Sequence, residues 1–177
     1  AERSDTIDMG IIEATGDSCV SMSHGFVDDG ISIVILSRRG DEGRQSRNNL
    51  RSTWLQHCPQ WLFFIGAPSC VIPLRYRVER MTCVETGGFE LSEEQVKKHH
   101  DREILETEAL LKESSEHGDM VLLPEHDGYE MLAIKLKAAL RWVLMHKPNT
   151  RWIVKVDDDV YVRPTHLAQY LACCFPM

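Results

Sequence analysis

Residues 151–162 read RWIVKVDDDVYV, and the change of character inside that stretch sets the reading of the whole chain. Trp152, Ile153, Val154 and Val156 form an apolar, β-branched run with the composition of a buried strand. The run ends in three adjacent carboxylates, Asp157, Asp158 and Asp159, followed by Val160 and Tyr161. Three like charges repel one another, and a carboxylate at a buried strand end is costly to desolvate, so a cation is expected beside them. Asp157 and Asp159 point the same way along an extended chain. They are therefore candidate ligands for one hard divalent cation, which prefers oxygen donors. At the carboxyl end of a strand in an open α/β sheet, such a cation lies where these folds bind ligands. The competing reading is a solvated acidic turn.

Outward from that motif, the chain alternates strand and helix patterns. Ile31 to Leu36 is a continuous apolar run suited to a central parallel strand, and Trp61 to Ile65 is a second, stopped by Gly66 and Pro68. Met120 to Leu123 reads as a short third strand ahead of the one at 151–156. Ser37 to Gly43 reads as a loop, and a helix is expected from about Gln45 to Gln56, with Leu50 and Trp54 four apart. Ser92 with Gln95 makes a capping box that opens a long charged helix to about Glu116. The thin apolar stripe of that helix places it on the outside. Tyr129 to His146 is amphipathic, with Leu132, Leu136, Leu140 and Val143 on one face, and Pro164 opens a last helix. The stretch 68–90 is irregular, with one possible strand near Tyr76–Val78. Such alternation predicts a three-layer α/β/α fold with a mainly parallel sheet. Residues 1–28, rich in Asp, Ser and Gly, read as a flexible leader, and 29–177 as the folded part.

With 177 residues, 43% hydrophobic and 27% charged, the composition is that of one globular domain or a large part of one. The formal charge of −7 and the lack of a basic stripe argue against nucleic-acid binding. No apolar run is long enough to cross a bilayer, and no signal peptide is visible. The six cysteines show no metal-binding C-x-x-C spacing, and two or three disulfides in a secretory lumen are expected. Arg47 and Arg51 share a helix face and are candidates to meet a nucleotide or nearby carboxylates. Ser37 follows the first strand, where a nucleotide-contacting loop belongs. Asp127 is read as a helix cap, and Trp54, Trp142 and Trp152 as core.

Five segments together resemble one family. Arg47-Asn-Asn-Leu50-Arg51-Ser-Thr53-Trp54 is similar to the R-x-x-I-R-x-T-W signature of the fringe-related β1,3-glycosyltransferases. Phe63-Phe64-Ile65-Gly66 resembles its F-x-x-G strand end, and Glu113 to Met120 its E-x-x-x-y-G-D-I/M segment. Asp127 to Lys135 resembles D-x-Y-x-N-L-T-x-K, and Lys155 to Val162 resembles K-x-D-D-D-x-F/Y-V. Met131 stands where the family usually has Asn, and Lys147 where it commonly has Cys.

The resemblance implies a GT-A-type fold, here its donor-binding half and truncated at the C-terminus. It implies inverting transfer of galactose or N-acetylglucosamine from a UDP-sugar to the hydroxyl of a glycan or glycoprotein. Mn²⁺ or Mg²⁺ would be held by Asp157 and Asp159, with Asp159 the first choice as direct ligand. Donor contacts would come from Ser37, Arg47, Arg51, Lys135, Asp157 and Asp158, with Asp158 on the ribose or donor sugar. The catalytic base is expected beyond residue 177, so that the chain alone would be silent. A Golgi or endoplasmic reticulum membrane location, lumenal side, through an N-terminal anchor outside the chain, completes the expectation. The competing readings are a phosphotransferase of the haloacid dehalogenase type, built on Asp157-x-Asp159, and a non-catalytic nucleotide-binding fragment.

Overall fold

The computed structural model describes residues 30–58 and 60–174; the leader expected at 1–28 lies outside them. The described chain runs β1 (Ile31–Ser37), α1 (Gly40–Arg51), β2 (Trp61–Ala67), α2 (Glu93–His117), β3 (Met120–His126), α3 (Leu132–His146), β4 (Trp152–Asp157) and α4 (Pro164–Cys174). Short 3₁₀ turns lie at Trp54–His57, Leu74–Tyr76 and Tyr129–Met131. The four strands form one parallel sheet in the order β3-β2-β1-β4.

β1 is buried along its whole length, as a strand flanked on both sides and covered on both faces should be. Its residues divide by period two. Ile31, Ile33 and Ile35 join Phe63, Ile65 and Val156 on one face, packed against Leu50 and Trp54 and against Leu110 of α2. Val34 and Leu36 join Phe64 and Leu123 on the other, packed against Ala139 and Val143 of α3. Helices thus cover both faces, which makes the expected three layers. The capping box at Ser92 and Gln95 is formed, and Pro164 opens α4. Of the α2 side chains only Leu110 and Glu113 are buried, so this helix lies on the outside.

Several expected boundaries differ: β2 runs through Gly66 to Ala67, β3 on to His126, and α3 begins only at Leu132 after a 3₁₀ turn. The loop expected at Ser37–Gly43 shrinks to two residues, because α1 begins at Gly40. Gly43 makes that early start possible: a Cβ there would stand 2.0 Å from the Arg38 carbonyl oxygen, so only glycine lets the helix press against the end of β1. The helix then ends at Arg51 and gives way to a separate 3₁₀ turn at Trp54, where the hydroxyl of Thr53 accompanies the break by donating to the Asn49 carbonyl at 2.7 Å. Near Tyr76–Val78 there is no strand; Arg77 makes one isolated antiparallel bridge with Glu85. Its guanidinium supports the loop from inside, donating to the Ile72 carbonyl and to Glu130. A Cys70–Cys83 disulfide ties the same segment.

Candidate functional site

The strand order creates the site. From β1 the chain steps outward to β2 and β3, then returns to the other side of β1 as β4. The order therefore reverses between β1 and β4, and open α/β sheets bind ligands outside the strand carboxyl ends at such a point. β1 ends there in Ser37 and β4 in Asp157, one register step apart along the pair. A cavity of about 720 Å³ opens over this edge. Ser37, Lys135, Asp157, Asp158 and Asp159 line it, together with Arg39, Asp127, Tyr129 and His99.

The acidic segment differs from the extended run expected for it. The strand stops at Asp157, and Asp158–Asp159 form a turn closed by the Val160 amide donating to the Asp157 carbonyl at 3.3 Å. The alternation argument that put Asp157 and Asp159 on one side therefore does not apply. Exposure separates them from Asp158 instead: Asp157 and Asp159 are exposed, and Asp158 is half-buried. The expected burial cost for all three carboxylates is also corrected, since two face solvent. One cation already stands beside them, because the Lys155 ammonium pairs with Asp157. Asp158 turns inward and accepts a hydrogen bond from the Ser37 hydroxyl at 2.8 Å.

The arginines sit elsewhere. Arg47 is fully buried and spends its guanidinium inside the protein. It grips both oxygens of Glu113, at 2.7 and 2.6 Å, and donates to the Ser37 hydroxyl at 3.0 Å and the Arg38 carbonyl at 2.8 Å. Arg51 binds Asp119 through two parallel hydrogen bonds of 2.7 and 2.8 Å, and reaches Glu113 as well. Burial alone would raise the Glu113 carboxyl, but hydrogen bonds and charge from Arg47 and Arg51 outweigh it and hold the group below its ordinary value. Burial likewise opposes the charge on Arg51, and hydrogen bonds to Asp119 and Glu113 more than compensate, so its pKa is raised. Neither arginine lines the cavity. Of the two partners expected for them, a nucleotide or nearby carboxylates, the structure gives them the carboxylates, in an internal ion cluster that fastens α1 to the end of α2 and the start of β3.

Lys135 does line the cavity, as part of its wall. Only 2% of the residue is exposed. Its ammonium donates to the Ser37 carbonyl at 2.6 Å and to Asp127 at 2.5 Å. Asp127 caps no helix, contrary to expectation; its second oxygen accepts the Arg39 amide at 3.1 Å. The Lys135–Asp127 pair thus ties the end of β1 to the end of β3. Sequence reasoning gave Glu113 and Asp119 no role and Asp127 the wrong one. Their motif positions were visible, but their partners lie far along the chain.

Among the described residues, no three or more His, Cys, Asp or Glu side chains are grouped to hold a metal ion. The two exposed carboxylates still fit a hard cation by their chemistry. Mg²⁺ in particular commonly takes one or two protein carboxylates and completes its shell with water and substrate phosphates.

Comparison with known proteins settles the relationship. The Galactosyltransferase family model matches residues 96–174, which include α2, β3, α3, β4 and the acidic turn. Human beta-1,3-galactosyltransferase 4 is 37% identical over 145 residues, 78% of this chain and 31% of that protein. The chain belongs to the β1,3-glycosyltransferase family. Lactosylceramide 1,3-N-acetyl-beta-D-glucosaminyltransferase B of Xenopus laevis is 22% identical over 152 residues, 86% of this chain and 35% of that protein. Human N-acetyllactosaminide beta-1,3-N-acetylglucosaminyltransferase 2 is 37% identical over 59 residues, 33% of this chain and 15% of that protein. The chain spans about a third of the length of the first two relatives. For a β1,3-glycosyltransferase the all-parallel α/β sheet is consistent with a GT-A-like fold. The phosphotransferase reading is not favoured.

Proposed function

We propose that this chain supplies the donor-binding part of a β1,3-glycosyltransferase that moves galactose or N-acetylglucosamine from a UDP-sugar to a glycan hydroxyl, in the glycosylation of proteins. The observation that carries the reading is the acidic turn at the switch point, with Asp157 and Asp159 facing a cavity large enough for a nucleotide sugar. In the reaction, the acceptor oxygen bonds to the anomeric carbon as the bond to the diphosphate breaks, with inversion. UDP departs, and the hydroxyl proton passes to a general base.

Asp157 and Asp159 would hold Mn²⁺ or Mg²⁺, which when bound offsets the charge growing on the departing diphosphate. Around them the chain's own residues fix the floor of the site: Lys135 and Asp127 hold the end of β1, and Arg47 and Arg51 hold the helix behind it. With two carboxylates offered, the cation should bind weakly alone and tightly with UDP, because the diphosphate completes its shell. The Cys70–Cys83 bridge supports folding in an oxidising compartment. A Golgi-lumenal location, or one in the endoplasmic reticulum, accords with that, with membrane attachment through a segment outside the described residues. No described helix is long and apolar enough to cross a membrane.

Calorimetry with UDP and Mn²⁺ tests the reading. Binding of UDP should require the cation, and Asp159→Ala should weaken it at least tenfold. Loss of a direct electrostatic contact in a transferring enzyme costs on the order of 10²-fold in rate. UDP binding that ignores both Mn²⁺ and Asp159→Ala would refute the proposal.

A further inference from the structure

The acidic turn is held from behind at two points, one through Ser37 at the end of β1, which Arg47 backs, and one through Trp54. Ser37 is one. Its hydroxyl oxygen accepts from Arg47, which can only donate, and this frees the hydroxyl proton for Asp158. Arg47 is itself clamped by both oxygens of Glu113. A continuous line therefore runs Glu113–Arg47–Ser37–Asp158, from the buried ion cluster to the middle carboxylate. Trp54 is the second point. Its indole N–H donates to the Val160 carbonyl at 3.1 Å, just past the turn, while its ring is 1% exposed in the core.

We propose that Asp158 is a positioning residue, held by Ser37 and Arg47, and that with Trp54 it fixes the turn so that Asp157 and Asp159 face the cavity. Its role is then to hold the turn, through the oxygen that Ser37 engages, and not the ribose or donor-sugar contact that the family resemblance gave it. The proposal rests on the donor-site reading for its consequence in binding, though not for the geometry of the turn. What the turn needs from residue 158 is one accepting oxygen toward Ser37. The negative charge is dispensable for that purpose, because an asparagine carbonyl oxygen accepts the same hydrogen bond.

Four variants of the chain separate the roles: Asp158→Ala, Asp158→Asn, Ser37→Ala and Trp54→Phe. Amide hydrogen exchange over residues 157–160 reads the turn directly, without any ligand. Exchange there should rise about tenfold in Asp158→Ala, Ser37→Ala and Trp54→Phe, as expected for loss of one hydrogen bond. It should stay near wild type in Asp158→Asn, with α3, on the opposite face of the sheet from Trp54, unchanged in all four. In calorimetry with Mn²⁺ and UDP, Asp158→Asn should bind within about threefold of wild type, and Ser37→Ala should lose as much affinity as Asp158→Ala. An Asp158→Asn variant that falls as far as Asp158→Ala in affinity, yet keeps a protected turn, would make the charge itself a ligand and overturn the proposal. Unchanged exchange in Ser37→Ala would overturn it too. If wild type binds no UDP with Mn²⁺ while the exchange pattern is as expected, the donor reading fails and the positioning of the turn stands.

Discussion

Replacing Arg47 with methionine tests whether the two arginines of α1 are internal supports. Arg47 is fully buried and makes four hydrogen bonds, two of them to Glu113. Methionine fills much of the same volume but donates nothing. Glu113 would keep only the 2.8 Å contact from Arg51 on one oxygen, and its other oxygen would lose its partner. Breaking a buried pair from one side costs about 3–5 kcal/mol. The surviving Arg51 contact argues for the lower end, about 3 kcal/mol, which is a large share of the roughly 5–15 kcal/mol that stabilises a typical protein. For a chain of this length that corresponds to a fall in melting temperature of about 6–12 °C.

Urea unfolding of the chain followed by circular dichroism measures the loss, and its pH dependence gives a second signature. Glu113 is held below its ordinary pKa, so its contribution is fully present above that ordinary value, about 4.5, and is lost as the pH falls toward and through the lowered one. In Arg47→Met the folded pKa of Glu113 rises, so the acid-side loss attributable to Glu113 should be smaller and end at a higher pH. The double variant Arg47→Met with Glu113→Leu should recover part of the loss, because Arg51 keeps both bonds to Asp119 and a buried pair replaced on both sides is often near neutral. A single-variant cost under about 1 kcal/mol, the range of an exposed ion pair, would refute the internal-cluster reasoning.

Lys135→Met should cost about 3 kcal/mol or more by stranding Asp127, and it should weaken Mn²⁺-dependent UDP binding as the end of β1 relaxes. Unfolding curves and calorimetry check the two effects, and a neutral variant would refute the supporting role given to the Lys135–Asp127 pair. Burial pushes the Cys58 thiol up to about 11, so it stays protonated near pH 8. Iodoacetamide on the native chain should then label the exposed free thiol Cys174 and spare Cys58; equal labelling by mass spectrometry would contradict this. Removing the Cys70–Cys83 bridge as a double serine variant should cost about 2–3 kcal/mol, as for a loop of this size. Hydrogen exchange should rise over 70–90 while β1 and β2 stay protected.

The sequence by itself determined the strands, because long apolar runs such as Ile31–Leu36 leave few alternatives to burial in a parallel sheet. It determined the cap of α2 as well, since Ser92 and Gln95 interact across three residues. It also located the acidic residues at the end of a strand, though of that strand only Val156 is buried. All of these rest on local chemistry, read within a few positions. What only the tertiary structure decided is which charges face inward. Arg47 and Arg51 occupy the same spacing whether their helix face meets water or Glu113 and Asp119, which lie 66 and 68 residues away along the chain. Lys135 reads as a surface lysine until the ends of β1 and β3 close over it. Within Asp157–Asp159 the sequence offers three equal carboxylates, and only the packing of Ser37 against the turn makes Asp158 different from its neighbours. Burial and long-range pairing choose among side chains of the same type, and neither is written in their spacing.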